Sequence, residues 1–174
     1  MTKLILLFLF LSLSSLYAKV LISPIDAMKE AYDLNATITK KNIMLSNTKF
    51  KNIQKNAKTK LDTKIYRIFT AKKDAEVLGY GILVSRKVRS KNAVVLYLIK
   101  NAELQSIEII AFNEAMEYIT SSKWNEQFEN INTAKMIRLN RDIPSVTGAT
   151  MSARSVIEGS RIAFAIYNEL LKGK

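Results

Sequence analysis

The spacing of apolar and polar residues changes period along the chain, and those changes mark out its elements. Ser23-Pro24 sets a capping hydroxyl before a proline at the first helical position and predicts a helix over 24–33. A short β-like stretch follows at 36–45. Ser46 predicts the start of a second helix over 47–58, whose Phe50, Ile53 and Ala57 continue to Leu61 as one apolar stripe. The period then shortens. Segments 64–70, 77–88, 93–100 and 104–112 are rich in Val, Ile, Leu and Tyr and are separated by turn-like or charged breaks, which predicts four consecutive strands. The break Lys100-Asn101-Ala102-Glu103 has the length of a hairpin connection, so an antiparallel meander is expected.

Beyond the strands, 114–118 predicts a turn or short helix and Ser122 a cap for another through Glu129, with Trp124 and Phe128 sharing a face. The last helix is predicted over 152–172. Its Ala153, Val156, Ile157, Ser160, Phe164, Tyr167 and Leu171 recur at helical spacing, a stripe suited to packing on the sheet. No repeat or low-complexity linker interrupts the chain. The expected architecture is α+β, one domain in which helices pack on an antiparallel sheet.

Composition alters this picture at the N-terminus. Lys3, an apolar run over 4–13 and the small residue Ala18 read as a secretory signal peptide of residues 1–18, leaving a domain of residues 19–174 in the periplasm. The run is shorter than the roughly 20 residues that cross a bilayer. The net charge of +12 falls by one, with Lys3, to +11 on cleavage. Lysines gather at Lys49, Lys51, Lys55, Lys58, Lys60 and Lys64, and a second basic group is Arg86, Lys87, Arg89 and Lys91. The first group lies mostly on the polar side of its helix, as a solvated face or as a dock for an anionic membrane surface or an acidic redox partner. Export and the lack of a nucleic-acid motif speak against nucleic acid.

The chain of 174 residues contains neither His nor Cys. That excludes thiol nucleophiles, Ser-His-Asp triads, thiolate iron–sulfur ligation, c-type haem attachment and the usual zinc sites. Chemistry carried by an organic cofactor survives this filter. One segment offers a seat for such a group. Pro144-Ser145-Val146-Thr147-Gly148-Ala149-Thr150 is a hydroxyl-bearing loop with a glycine, set directly before the longest helical pattern. A helix start presents unpaired N–H groups and the positive end of the macrodipole, which favours an anionic phosphate.

Thr147-Gly148-Ala149-Thr150 resembles the S/T-G-A-T motif of the FMN-binding domain family, which includes the extracytoplasmic flavin subunits of Rnf and of the sodium-translocating NADH:quinone oxidoreductase. Leu78-Gly79-Tyr80-Gly81, the strand ending in Glu114, the Trp124, Gln127 and Phe128 group and Arg141-Asp142-Ile143 are similar to further family segments in order and spacing. The resemblance implies FMN esterified through its phosphate to Thr150 by a dedicated flavin transferase. It implies a phosphate held by the backbone of Gly148, Ala149, Thr150 and Met151 with the Thr147 and Ser152 hydroxyls, and Glu114 near the flavin. Arg154 is a further candidate for neutralising the phosphate, and Tyr80, Tyr118 and Trp124 for lining the ring. Many family members carry Asp where this chain has Pro144. The implied role is electron carriage between a membrane redox protein and a periplasmic or quinone-linked acceptor, rather than stand-alone enzymology. A noncovalent flavin reductase and a flavin-free binding module of the same fold are the alternatives, the first without a G-x-G-x-x-G segment.

Overall fold

Each strand of the computed structural model pairs with the next one in sequence, and residues 20–173 are described. The leader expected at 1–18 lies outside the described residues. After α1 (Pro24–Tyr32) the strands are β1 (Thr37–Met44), β2 (Ile65–Lys73), β3 (Glu76–Lys87), β4 (Asn92–Lys100), β5 (Glu103–Phe112) and the two-residue β6 (Ile131–Asn132). They form one antiparallel sheet in the order β1-β2-β3-β4-β5-β6. α2 (Asn47–Ala57) connects β1 to β2; α3 (Ser122–Asn125) and the long α4 (Thr150–Leu170) follow β5. The expected α+β domain with helices on an antiparallel sheet is what the chain forms. The meander holds four expected strands, and the stretch at 36–45 joins it as a full edge strand paired with β2 over eight residues.

Helices cover both faces of the sheet. Alternation along β4 sends Val95, Tyr97 and Ile99 into the core shared with α4, and Leu96 and Leu98 into a smaller core with Ala27 and Met28 of α1. Strands buried on both faces lose the polar alternation of a one-sided sheet, which is why β4 reads as nearly continuous Val, Leu, Tyr and Ile. α1 sits tight on the sheet because Gly79 has no side chain. A Cβ there would strike the Tyr32 ring, whose hydroxyl donates to the carbonyls of Tyr80 and Ile99 at 3.0 Å each. Burial raises the Tyr32 phenol well above its ordinary range.

α4 is the centre of the larger core. Fourteen of its 21 residues are buried, more than a surface helix with one apolar stripe would bury. The second covering layer comes from the segment after β6. Ile137 and Ile143 join the α4 core, and Asn168 exchanges hydrogen bonds with Thr133, donating to its carbonyl at 2.9 Å and accepting from its hydroxyl at 3.0 Å. α4 begins at Thr150, two residues earlier than its apolar pattern predicts, and α3 is capped by Ser121 rather than Ser122. Among the described residues no helix is long and apolar enough to cross a membrane.

Candidate functional site

The loop before α4 is held at its start by two hydrogen bonds. The Trp124 indole N–H donates to the Pro144 carbonyl at 2.9 Å, and Asn140 Oδ1 accepts from the Ser145 N–H at 2.9 Å. The chain then turns, with the Ala149 N–H on the Val146 carbonyl at 3.0 Å and the Thr150 hydroxyl on the same carbonyl at 3.2 Å. Gly148 has φ +80°, a region that a β-carbon disfavours, although a Cβ would have nothing within 4 Å. Its requirement is backbone conformation, not close approach.

This turn delivers Thr150 as the first residue of a helix with no side-chain cap. Ala149 stands at the cap position, and the N–H groups of Thr150, Met151 and Ser152 have no acceptor among the described residues. Ser152 is therefore not the cap of this helix. It is the third helical residue, and its hydroxyl donates to the Tyr118 carbonyl, tying α4 to the short 3₁₀ turn Met116–Tyr118. The Thr150 side chain is exposed, while Ala149, Ser152 and Ala153 around its base are buried. An exposed threonine thus stands on a buried support.

A pocket of 250 Å³ opens here, lined by Gly148, Ala149, Thr150, Met151 and Ser152 together with Arg89 and Tyr118. The structure brings together five of the seven residues expected to bind the cofactor. Thr147 is exposed on the loop outside the lining. Glu114 stands behind it. Its Oε1 accepts from three successive backbone N–H groups of the β3–β4 turn, Arg89 at 3.2 Å, Ser90 at 2.6 Å and Lys91 at 2.7 Å. Those bonds, that of Lys91 foremost, hold its carboxyl below the ordinary glutamate range. The clamped turn carries the Arg89 guanidinium 4.8 Å from the centre of the Tyr118 ring.

The other aromatic candidates lie elsewhere. Trp124 is buried edge-on to Phe128 at 5.2 Å, and Tyr80 meets Tyr167 edge-on at 6.0 Å toward the far end of α4. Arg154 is exposed and not part of the lining. Asp142, the carboxylate nearest in sequence to the family's Asp position, accepts from the Arg138 N–H at 2.9 Å and pairs with Lys135 at 3.6 Å. Arg89 was missed as a site residue because nothing in its own stretch sets it apart from Arg86, Lys87 and Lys91; only the pairing of β3 with β4 and the Glu114 clamp aim that turn at α4.

Chemically, the pocket offers three free N–H donors, the positive end of a 21-residue helix and a guanidinium, all favouring an anion, beside one exposed hydroxyl. None of its lining residues is a carboxylate or imidazole that could serve as general base. No family model matches the chain, and no curated protein matches its sequence.

Proposed function

We propose that the chain is an exported flavoprotein in which FMN is joined through its phosphate to Thr150 Oγ1, and that it carries electrons between a membrane redox protein and a periplasmic or quinone-linked acceptor. The observation that carries this reading is the position of Thr150: an exposed hydroxyl at the first residue of a buried helix, surrounded by anion-favouring groups. The residues fit the phosphate end of the cofactor. A volume of 250 Å³ is below the roughly 300–1,000 Å³ of sites that enclose a whole ligand, which suits a phosphate seat with the remainder of the molecule outside it.

The bound flavin would supply one- and two-electron transfer, and the protein attachment, orientation and electrostatics. The N–H groups of Thr150, Met151 and Ser152 would orient the phosphoryl oxygens, and Arg89 would offset their charge. In the attachment step Thr150 Oγ1 would be the acceptor of the FMN phosphoryl group of FAD, with AMP as the leaving group and the hydroxyl proton passing to a base on the flavin transferase. A general base is lacking in the pocket lining, which supports an external catalyst for this step.

The test is the intact mass of the chain and of Thr150→Ala after co-expression with an active flavin transferase. A gain of one FMN less one water, absent from Thr150→Ala, is the expected result. The same spectrum reads whether cleavage follows Ala18. An unmodified mass overturns the covalent reading. A yellow preparation that releases its colour in denaturant would favour the noncovalent alternative, for which Pro144 in place of the family's Asp is the motivating feature.

A further inference from the structure

α4 and α2 leave one end of their side of the sheet uncovered. Register sets Ile43 opposite Tyr66, Lys41 opposite Ile68 and Thr70 opposite Tyr80, so these residues share the face on which Tyr66 and Ile68 enter the α4 core. Where α4 stops, that face opens into a groove of 570 Å³. Ile43, Val77, Tyr80, Leu170 and Leu171 give it apolar walls; Lys41, Lys49 and Lys72, from three different elements, give it positive charge. No Asp or Glu lines it. None of the three lysines pairs with a carboxylate among the described residues. Met44, the neighbour of Ile43 on the edge strand, is 75% exposed, and alternation puts its side chain on the opposite face of the sheet from Lys41 and Ile43.

Lysines on an edge strand commonly keep a second strand away. That accounts for Lys41 but not for Lys49 of α2 and Lys72 of β2 converging on the same groove. The charge selects an anionic occupant and the apolar lining an amphiphilic one. We infer that this groove docks the protein on an anionic phospholipid surface, with headgroup phosphates against Lys41, Lys49 and Lys72 and acyl chain against the apolar wall. An acidic protein would meet the charges and leave the wall of Ile43, Val77, Leu170 and Leu171 unmatched. The groove lies at the C-terminal end of α4, and 21 helical residues set it about 30 Å from the Thr150 pocket. Docking there leaves that pocket uncovered, and it holds whether or not Thr150 bears a flavin.

The chain has no cysteine, so one introduced thiol can carry an environment-sensitive fluorophore. Val77→Cys, at a half-buried position in the lining, places the label at the groove, and Met116→Cys, 40% exposed in the native residue, places it near the Thr150 end. With vesicles of equimolar phosphatidylglycerol and phosphatidylcholine, the label at 77 shifts to the blue and the label at 116 does not. Pure phosphatidylcholine gives no shift, and added sodium chloride reverses it. Lys41→Glu with Lys72→Glu raises the lipid concentration for half-saturation at least about thirtyfold, whereas the same charge change at Lys87 and Lys123 leaves it within about twofold. Equal shifts at both labels, or equal weakening by both charge pairs, would overturn the proposal. So would an unshifted label at 77 on anionic vesicles, the result expected if the groove takes an acidic protein or a single soluble amphiphile.

Discussion

Tyr97 of β4 occupies the space that a side chain at position 159 of α4 would need. Its hydroxyl donates to the Val156 carbonyl at 2.8 Å, and a Cβ on Gly159 would strike that same hydroxyl. Both residues are buried. A glycine in mid-helix normally weakens the helix by about 1 kcal/mol relative to alanine. Here the sign reverses, because close contact between α4 and the sheet depends on the missing methyl. Gly159→Ala is expected to destabilise the protein by about 1–3 kcal/mol, measured by urea unfolding. In a Tyr97→Phe background the loss should shrink, since the nearest struck atom is gone and the closest one left is a ring carbon at 2.9 Å; additive losses would show that the two residues do not share this contact.

Arg86 bridges β3, α4 and the loop after α2. Its Nη2 lies 2.5 Å from Glu158 Oε2 and its Nη1 donates to the Lys60 carbonyl at 3.1 Å, with Asp62 at 3.7 Å. The arginine side chain is 15% exposed and that of Glu158 26%. Removing the cation strands a partly buried carboxylate, so Arg86→Met should cost about 2 kcal/mol by thermal or urea unfolding. Arg86→Lys should recover only part of this, because an ammonium cannot reproduce the forked contacts.

The Glu114 clamp makes the β3–β4 turn sensitive to acid. The folded state lowers the Glu114 pKa, so its contribution is complete above the ordinary glutamate range and is lost as pH falls through the lowered folded value. Amide resonances of Ser90 and Lys91 should titrate together below that ordinary range. Hydrogen exchange at both should accelerate in Glu114→Gln at neutral pH, where the wild-type carboxylate is fully ionised. Unchanged exchange would remove Glu114 as the device that aims Arg89.

Gly148→Ala tests the turn that delivers Thr150. With φ +80° and free space around the missing Cβ, the penalty is conformational alone, about 1–2 kcal/mol in thermal unfolding. Gly148→Asn should lose less, because asparagine tolerates the left-handed region. Equal losses would point to crowding instead.

Arg89→Ala tests the anion-favouring character of the pocket. On the proposed function, the fraction of chain gaining the FMN mass under limiting transferase should fall several-fold, while Thr150→Ser keeps the ability to be modified. Unaltered labelling in Arg89→Ala would mean that the helix N-terminus alone governs the phosphate.

The sequence by itself determined the elements whose signals are local. Ser23-Pro24 and Ser46 opened helices as read, the Val-, Ile- and Tyr-rich segments became β2 to β5, and the loop from Gly148 to Ser152 came out as one lining of a pocket. Caps, strand periods and a glycine turn express the conformational preferences of a few adjacent residues, so they survive without tertiary context. The tertiary structure decided what those signals do not contain. It made 37–44 a full edge strand and set α1 opposite α4. It started α4 at Thr150 because the Val146 turn, not a capping hydroxyl, ends the loop. Arg89 joined the site and Glu114 moved behind it for the same reason. Their positions follow from β3 pairing with β4 and from a carboxylate satisfying three N–H groups of a distant turn, and such long-range pairings leave no periodic trace in the chain.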